Sequence, residues 1–299
     1  MKAYVFPGQG SQSKGMGKEL FDEFPDLIKR ADEILGYSIK ELCLTDLENK
    51  LQKTEYAQPT IYVVSVMDYL KSVNDGIPKP DYVAGHSIGE YAALYAADAF
   101  DFETGLKLVK KRGMLMGKAD GGKMAAIIGL MEEQVKSVLM QHDLHRIDIA
   151  NCNGVKQVVI SGLAEDIDAA ESIFLEVDGC ELYITLNVSG AFHSRYMREA
   201  ANEYAEYISS FTLKDLKIPV ISNVYARPYR REDAVNTLMK QIFSTVQWTS
   251  SIRYLMGLGV ELYIQKGPGV VAKNMVDMIL MEAEPLKPEA ESSCMQEAE

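Results

Sequence analysis

The stretch Asp81-Tyr-Val-Ala-Gly-His-Ser-Ile-Gly-Glu-Tyr91 decides how the rest of the 299-residue chain is read. Its centre, Gly85-His86-Ser87-Ile88-Gly89, fits Gly-x-Ser-x-Gly. That is the pattern of a nucleophile elbow, in which a serine sits on a sharp strand-to-helix corner and glycines let the chain close tightly. The pattern is common by chance, and a serine in an ordinary Gly-rich loop is the bland alternative. The flanks favour the elbow. Tyr82-Val83-Ala84 suits a short buried strand, and Glu90 to Ala97 is rich in helix formers.

Working outward, Ala3 to Phe6 reads as a strand running into the loop Pro7-Gly8-Gln9-Gly10-Ser11-Gln12, where glycines let backbone approach a neighbour closely. A dinucleotide-binding Gly-x-Gly-x-x-Gly reading fails at Ser13. Apolar residues at helical spacing predict a helix over Leu20 to Leu35, a second from Thr60 to Leu70 after Gln58-Pro59, and a third from Phe102 to Met116. At Gly121-Gly122 the pattern changes. Strands at Met124–Ile128, Ile147–Ala150, Val158–Ser161 and Glu181–Leu186 alternate with helices at Glu132–Gln141 and Asp166–Phe174, the βαββαβ order of a ferredoxin-like unit. A helix reaching about Phe211, a strand at Ile218–Ser222, two helical stretches, a strand at Val260–Ile264 and a final helix follow.

The expected fold is therefore α/β. An α/β-hydrolase-like catalytic subdomain with a mostly parallel sheet takes residues 1–121 and 188–281, and a ferredoxin-like subdomain is inserted at 122–187. Residues 282–299, rich in Glu and Pro, are expected to form a disordered tail.

Composition narrows the function. With 47% apolar and 25% charged residues the chain is that of a soluble globular protein. A net charge of −12 argues against a nucleic-acid partner, and no apolar run is long enough to span a membrane. Cys43, Cys152, Cys180 and Cys294 show neither a disulfide framework nor metal-ligand spacing, and no secretory leader is evident, so a cytoplasmic protein without metal or cofactor is expected.

A serine hydroxyl needs a base to become a good nucleophile. Four histidines are available. His86, beside Ser87 on the turn, should point away from it. His142 and His145 fall in a polar corner and read as surface residues. His193, in Ser189-Gly-Ala-Phe-His-Ser194, is the best candidate by elimination. No Asp or Glu between Ser87 and His193 stands out as a third member.

Up to about Ile279 the chain resembles the malonyl-CoA:acyl carrier protein transacylases. The motifs that carry the resemblance are Phe6-Pro-Gly-Gln-Gly-Ser-Gln12, Ala57-Gln58-Pro59, Gly85-His-Ser-Ile-Gly-Glu90, Lys111-Arg112-Gly113, Gly190-Ala-Phe-His-Ser194, Val246-Gln-Trp248 and Gly267-Pro-Gly269. Gly36-Tyr-Ser-Ile-Lys40 and Asp101-Phe-Glu-Thr-Gly105 look most like the discrete acyltransferases that serve polyketide synthases in trans. The resemblance implies malonyl-CoA and an acyl carrier protein, or carrier domains of a polyketide synthase, as partners of a monomer. It implies Ser87 as nucleophile and His193 as base, oriented by the backbone carbonyl of Gln241, with an oxyanion hole from the N–H groups of Gln9 and Ile88. Arg112 would hold the malonyl carboxylate, Phe192 would restrict a methyl-bearing substrate, and Gln58 would line the pocket. One departure stands out: Gln265-Lys266 occupies the place before Gly-Pro-Gly where the family usually has an acidic residue.

Two other readings compete. A hydrolase that clears stalled acyl groups could share the elbow, but it has no use for a buried cation at Arg112. An inactive docking protein is disfavoured by the intact Ser87, His193 and Arg112.

Overall fold

A computed structural model describes residues 1–287. The elements, in chain order, are β1 (Lys2–Phe6), α1 (Pro25–Leu35), α2 (Ile39–Thr45), α3 (Thr54–Asn74), β2 (Tyr82–Gly85), α4 (Gly89–Ala96) and α5 (Phe102–Gly117). Then come β3 (Gly122–Ile128), α6 (Glu132–Gln141), β4 (Asp148–Gly154), β5 (Gln157–Leu163), α7 (Ala164–Leu175) and β6 (Leu182–Thr185). The chain closes with α8 (Arg198–Ile208), β7 (Val220–Ile221), α9 (Ala234–Gln241), α10 (Trp248–Gly257), β8 (Leu262–Gln265) and α11 (Val271–Glu282).

Two sheets organise these elements. The first runs β7-β2-β1-β8 with every pair parallel, and the second runs β4-β5-β3-β6 with every pair antiparallel. In the second sheet the spatial order is second, third, first, fourth strand, which is what a βαββαβ chain adopts when its hairpin strand slots between the two strands of a split βαβ unit. The parallel strands are buried on both faces, as crossover helices require: Ala3, Val5 and Ala84 face α10 and α11, whereas Tyr4, Phe6 and Val83 face a core shared with α3, α4 and α5.

Backbone bonds tie the antiparallel sheet to the larger unit. Asn151 on β4 forms a parallel bridge with Val246, through Cys152 N–H to Val246 O at 3.0 Å and Val246 N–H to Ala150 O at 2.8 Å. This fixes the antiparallel unit against the loop entering α10.

Several expected boundaries shift. The helix expected from Leu20 begins at Pro25, which supplies the preset φ favoured at a first helical position, while residues before it form turns. The helix expected from Thr60 begins six residues earlier and contains Pro59 as its sixth residue, one turn past the tolerated start, so the i→i−4 bond to Glu55 O is forgone there. The strand expected over Ile218–Ser222 shrinks to two residues after Pro219, and α2 was not foreseen. Glu282 ends α11 rather than opening a tail, and the next residues are docked: Leu286 N–H bonds Arg253 O, and Arg253 Nε bonds Glu284 O at 2.8 Å. The rest of the expected tail lies outside the described residues.

Candidate active site

Ser87 sits between β2 and α4 with φ of +50°, the strained left-handed backbone of a sharp elbow. Gly85 and Gly89 make the turn feasible. A Cβ on Gly85 would collide with the backbone of Gly89, and one on Gly89 would collide with the carbonyl of Phe6 at the end of β1. Gly8 brings the first loop against the elbow, since a Cβ there would lie 2.8 Å from the His86 carbonyl oxygen. Asn223, after β7, pins the corner from the other side: its Oδ1 accepts from Ser87 N–H at 2.8 Å and its Nδ2 donates to Gly85 O at 2.6 Å. With Ser87 N–H engaged, the next donors along this wall are Ile88 N–H and Gln9 N–H. Among the described residues neither has a hydrogen-bond partner.

His193 meets the serine from the loop ahead of α8. Its Nε2 is 2.8 Å from Ser87 Oγ, and its Nδ1 is 2.8 Å from the backbone oxygen of Gln241 at the end of α9. A carbonyl acceptor fixes the proton on Nδ1 and leaves Nε2 as the base. Burial, and then the charge of Arg112, push the imidazole down to about 3, so it is neutral at physiological pH. His193 also has a positive φ, +57°, so both reacting side chains are held on strained backbone.

Arg112 is the third feature. It lies on α5, completely buried, unlike its exposed neighbour Lys110. Its Nη1 donates to Gln58 Oε1 at 2.8 Å, and its Nη2 donates to Gln241 Oε1 at 2.9 Å and to Ser87 Oγ at 3.2 Å. Its Nε is buried without a partner, and among the described residues no carboxylate lies within ion-pair distance. A buried guanidinium with neutral partners and a spare donor can receive an anion beside the Ser87 hydroxyl.

The remaining candidates fall around this centre. Gln58 is buried and bonds Arg112 directly, with its Nε2 3.5 Å from Met116 Sδ. Phe192 is buried in the core that also contains Met124 and Ala126 from β3. The Gln9 side chain donates from Nε2 to Thr54 Oγ1 at 3.2 Å. His86 turns away from Ser87 to bond Asn153 Oδ1 at 2.7 Å, edge-on to Trp248. His145 is exposed, 3.2 Å from Asp143, and no cluster of metal-ligand residues occurs among the described residues. An open cleft of about 760 Å³ beside α6 and β4 has His193 in its lining, together with Lys136, Asp148, Arg195, Arg198, Phe243 and Gln247 among others; Ser87 and Arg112 are not part of that lining.

The Gln265-Lys266 departure is compensated within the loop. Gln265 Nε2 donates to Pro268 O and Gly269 O, its Oε1 accepts from Lys273 N–H, and Asp68 on α3 accepts from Gly267 N–H at 2.8 Å.

Sequence reasoning on residues alone missed Asn223 and the Gln241 side chain. Glu90, although quoted with the elbow, was given no role. Its signal was present: it is the one charged residue in α4, an otherwise mostly apolar and buried helix.

The family model described as the acyl transferase domain matches residues 3–263. The chain belongs to the acyl transferase family. It is 53% identical over 284 residues to the polyketide biosynthesis malonyl CoA-acyl carrier protein transacylase BaeC of Bacillus velezensis, covering 95% of this chain and 98% of that one. It is 54% identical over 286 residues to the polyketide biosynthesis protein PksE of Bacillus subtilis, 96% of this chain but only 37% of that longer protein. The crystal structure of malonyl CoA-acyl carrier protein transacylase from Burkholderia pseudomallei superposes with a TM-score of 0.91 at 46% identity, covering 95% of this chain and 99% of that one.

Proposed function

We infer that this acyltransferase moves a malonyl group from malonyl-CoA to the phosphopantetheine thiol of an acyl carrier protein, supplying a polyketide synthase in trans. The observation that carries the reading is Arg112: a buried guanidinium without a carboxylate partner, 3.2 Å from Ser87 Oγ. Only an acyl group with its own anion makes use of it, which sets a malonyl transferase apart from a hydrolase of uncharged acyl chains. The names of BaeC and of the Burkholderia structure agree with malonyl transfer, and those of BaeC and PksE with the polyketide setting.

In the first half-reaction the malonyl carboxylate docks on Arg112 and the thioester carbonyl lies over Ser87. His193 Nε2 takes the serine proton as Oγ attacks, and the developing oxyanion is held by Gln9 N–H and Ile88 N–H. The tetrahedral species collapses, the C–S bond breaks, and the proton on His193 passes to the departing coenzyme A sulfur. In the second half-reaction His193 takes the proton of the carrier-protein thiol. Its sulfur attacks the malonyl-serine carbonyl, the ester C–O bond breaks as the tetrahedral species collapses, and the proton returns to Ser87 Oγ. The kinetics are ping-pong. Gln241 O holds His193 in the required tautomer, so no acidic third member is needed. Gln58 positions Arg112. Phe192 closes the space in which a methyl branch would sit, a discrimination of about 1–3 kcal/mol. The cleft that His193 helps to line is the proposed route for the pantetheine arm. We place the protein in the cytoplasm as a monomer, in keeping with the free thiols of Cys43 and Cys152.

Transfer is tested by incubating the protein with malonyl-CoA and a holo carrier protein. The expected product is malonyl-carrier protein. Release of free malonate as the main product contradicts the transferase reading.

A further inference from the structure

Glu90 is a fully buried carboxyl that the transfer steps leave unused. It is the second residue of α4, directly after the elbow, and it faces inward. Its Oε1 accepts from Asn223 N–H at 2.9 Å, and its Oε2 accepts from Gln241 Nε2. Each of those residues touches the reacting groups. Asn223 holds Ser87 N–H and Gly85 O. Gln241 donates from Nε2 to Ser87 O at 2.8 Å, accepts from Arg112 at Oε1, and accepts from His193 at its backbone oxygen.

A carboxamide has a donor end and an acceptor end. Anchoring its NH2 on a carboxylate forces its oxygen toward Arg112, while the flipped amide would aim N–H groups at a cation. Arg112 thus has a counter-charge one amide removed, a line running guanidinium, Gln241 amide, Glu90. An incoming malonyl carboxylate would place a second anion on the same buried cation. Two anions and one cation cannot all stay charged in a dry pocket without cost.

We propose that Glu90 is the positioning residue of the carboxylate pocket: ionised, it fixes the Gln241 carboxamide and balances Arg112 in the free enzyme, and it takes up a proton from solvent when the malonyl carboxylate binds. Burial pushes Glu90 up to about 7, so the free-enzyme carboxyl is already close to titrating. The other groups facing it are Arg112 from α5, Tyr91 from α4 and Tyr229 from the loop after β7, with Tyr204 from α8 and His193 just beyond. The tyrosines are pushed up by burial and stay neutral in this range. The proposal rests on Arg112 binding the malonyl carboxylate.

The test is the pH profile of kcat/KM for acyl-enzyme formation, using malonyl and acetyl thioesters of N-acetylcysteamine, which carry no phosphate to titrate. The wild-type malonyl profile is expected to fall above about pH 7, by up to roughly tenfold per unit. The acetyl profile should lack that limb. Glu90→Gln, which holds the neutral form at every pH, should abolish the limb without raising the malonyl KM, and Glu90→Asp should restore part of the limb. A wild-type malonyl profile flat to pH 9, or an unchanged limb in Glu90→Gln, overturns the proposal. The underlying reading has its own control: Arg112→Ala that keeps the malonyl preference overturns the Arg112 assignment, whereas a flat wild-type profile with an Arg112-dependent preference overturns only the role of Glu90.

Discussion

Arg112 pairs with neutral groups, so its charge is available to a ligand. A charged hydrogen bond in a desolvated site is worth about 1.5–3 kcal/mol. Arg112→Ala should therefore lower kcat/KM for malonyl loading by roughly 10- to 100-fold and leave acetyl loading within about twofold. Arg112→Lys should recover little, because an ammonium cannot reproduce a planar fork that reaches Gln58, Gln241 and a carboxylate together. Stopped-flow loading assays with both thioesters read both outcomes. At Gly8, any side chain meets the carbonyl of His86. Gly8→Ala should push the first loop off the elbow, displace Gln9 N–H, and reduce kcat by about 100-fold or more with little change in KM. His193 behaves unlike a free imidazole. Held near 3 by burial and Arg112, it stays neutral down to pH 5, so acylation should show no acid limb between pH 5 and 6.5.

At the scale of elements, α3, α4, α5 and α9 each deliver one or two groups to a single point: Gln58, Glu90, Arg112 and Gln241. The elbow was legible because glycine and serine at fixed spacing have a steric cause, which the collisions at Gly85 and Gly89 express. His193 was legible by elimination among four histidines. The acceptor behind it was not legible from residue type, since any residue presents a backbone carbonyl; it came from the family resemblance. Asn223 left no trace either, because its bond to Ser87 spans 136 positions. Pro59 misled in another way: read as a boundary, it lies inside α3, where the burial of the helix on both sides of it outweighs one lost backbone bond. The loop after β8 offers a test of element-level repair. Asp68 on α3 accepts from Gly267 N–H, so Asp68→Ala should cost about 1–3 kcal/mol in urea unfolding while turnover changes less than twofold.

Across the whole molecule, two buried groups tilt stability in opposite directions with pH. His193 is depressed from 6.5 to about 3, so the native state binds fewer protons than the unfolded chain in that window, and its contribution is lost as pH falls from 6.5 toward 3. Glu90 is raised from 4.5 to about 7, so the native state binds more protons there, and stability from this group declines as pH rises from 4.5 to 7. Relative to wild type, His193→Gln should therefore gain stability as pH drops below 6.5, and Glu90→Gln should gain it as pH rises from 4.5 to 7. Urea midpoints across pH measure both. The two-sheet arrangement was legible as a whole because the segments after Gly121-Gly122 follow the βαββαβ order of a separate antiparallel unit. The seat of the antiparallel sheet against the loop before α10 was not, because it depends on the bridge between Asn151 and Val246, which belong to segments read separately.

The central claim is that Ser87 carries a malonyl group selected by Arg112. Intact-protein mass spectrometry after brief mixing with equimolar malonyl-CoA and acetyl-CoA tests it most directly. Wild-type protein is expected to gain one malonyl mass and almost no acetyl mass, Ser87→Ala neither, and Arg112→Ala mainly acetyl. Equal acetyl and malonyl loading in the wild type, or malonyl loading that survives in Ser87→Ala, would contradict the account.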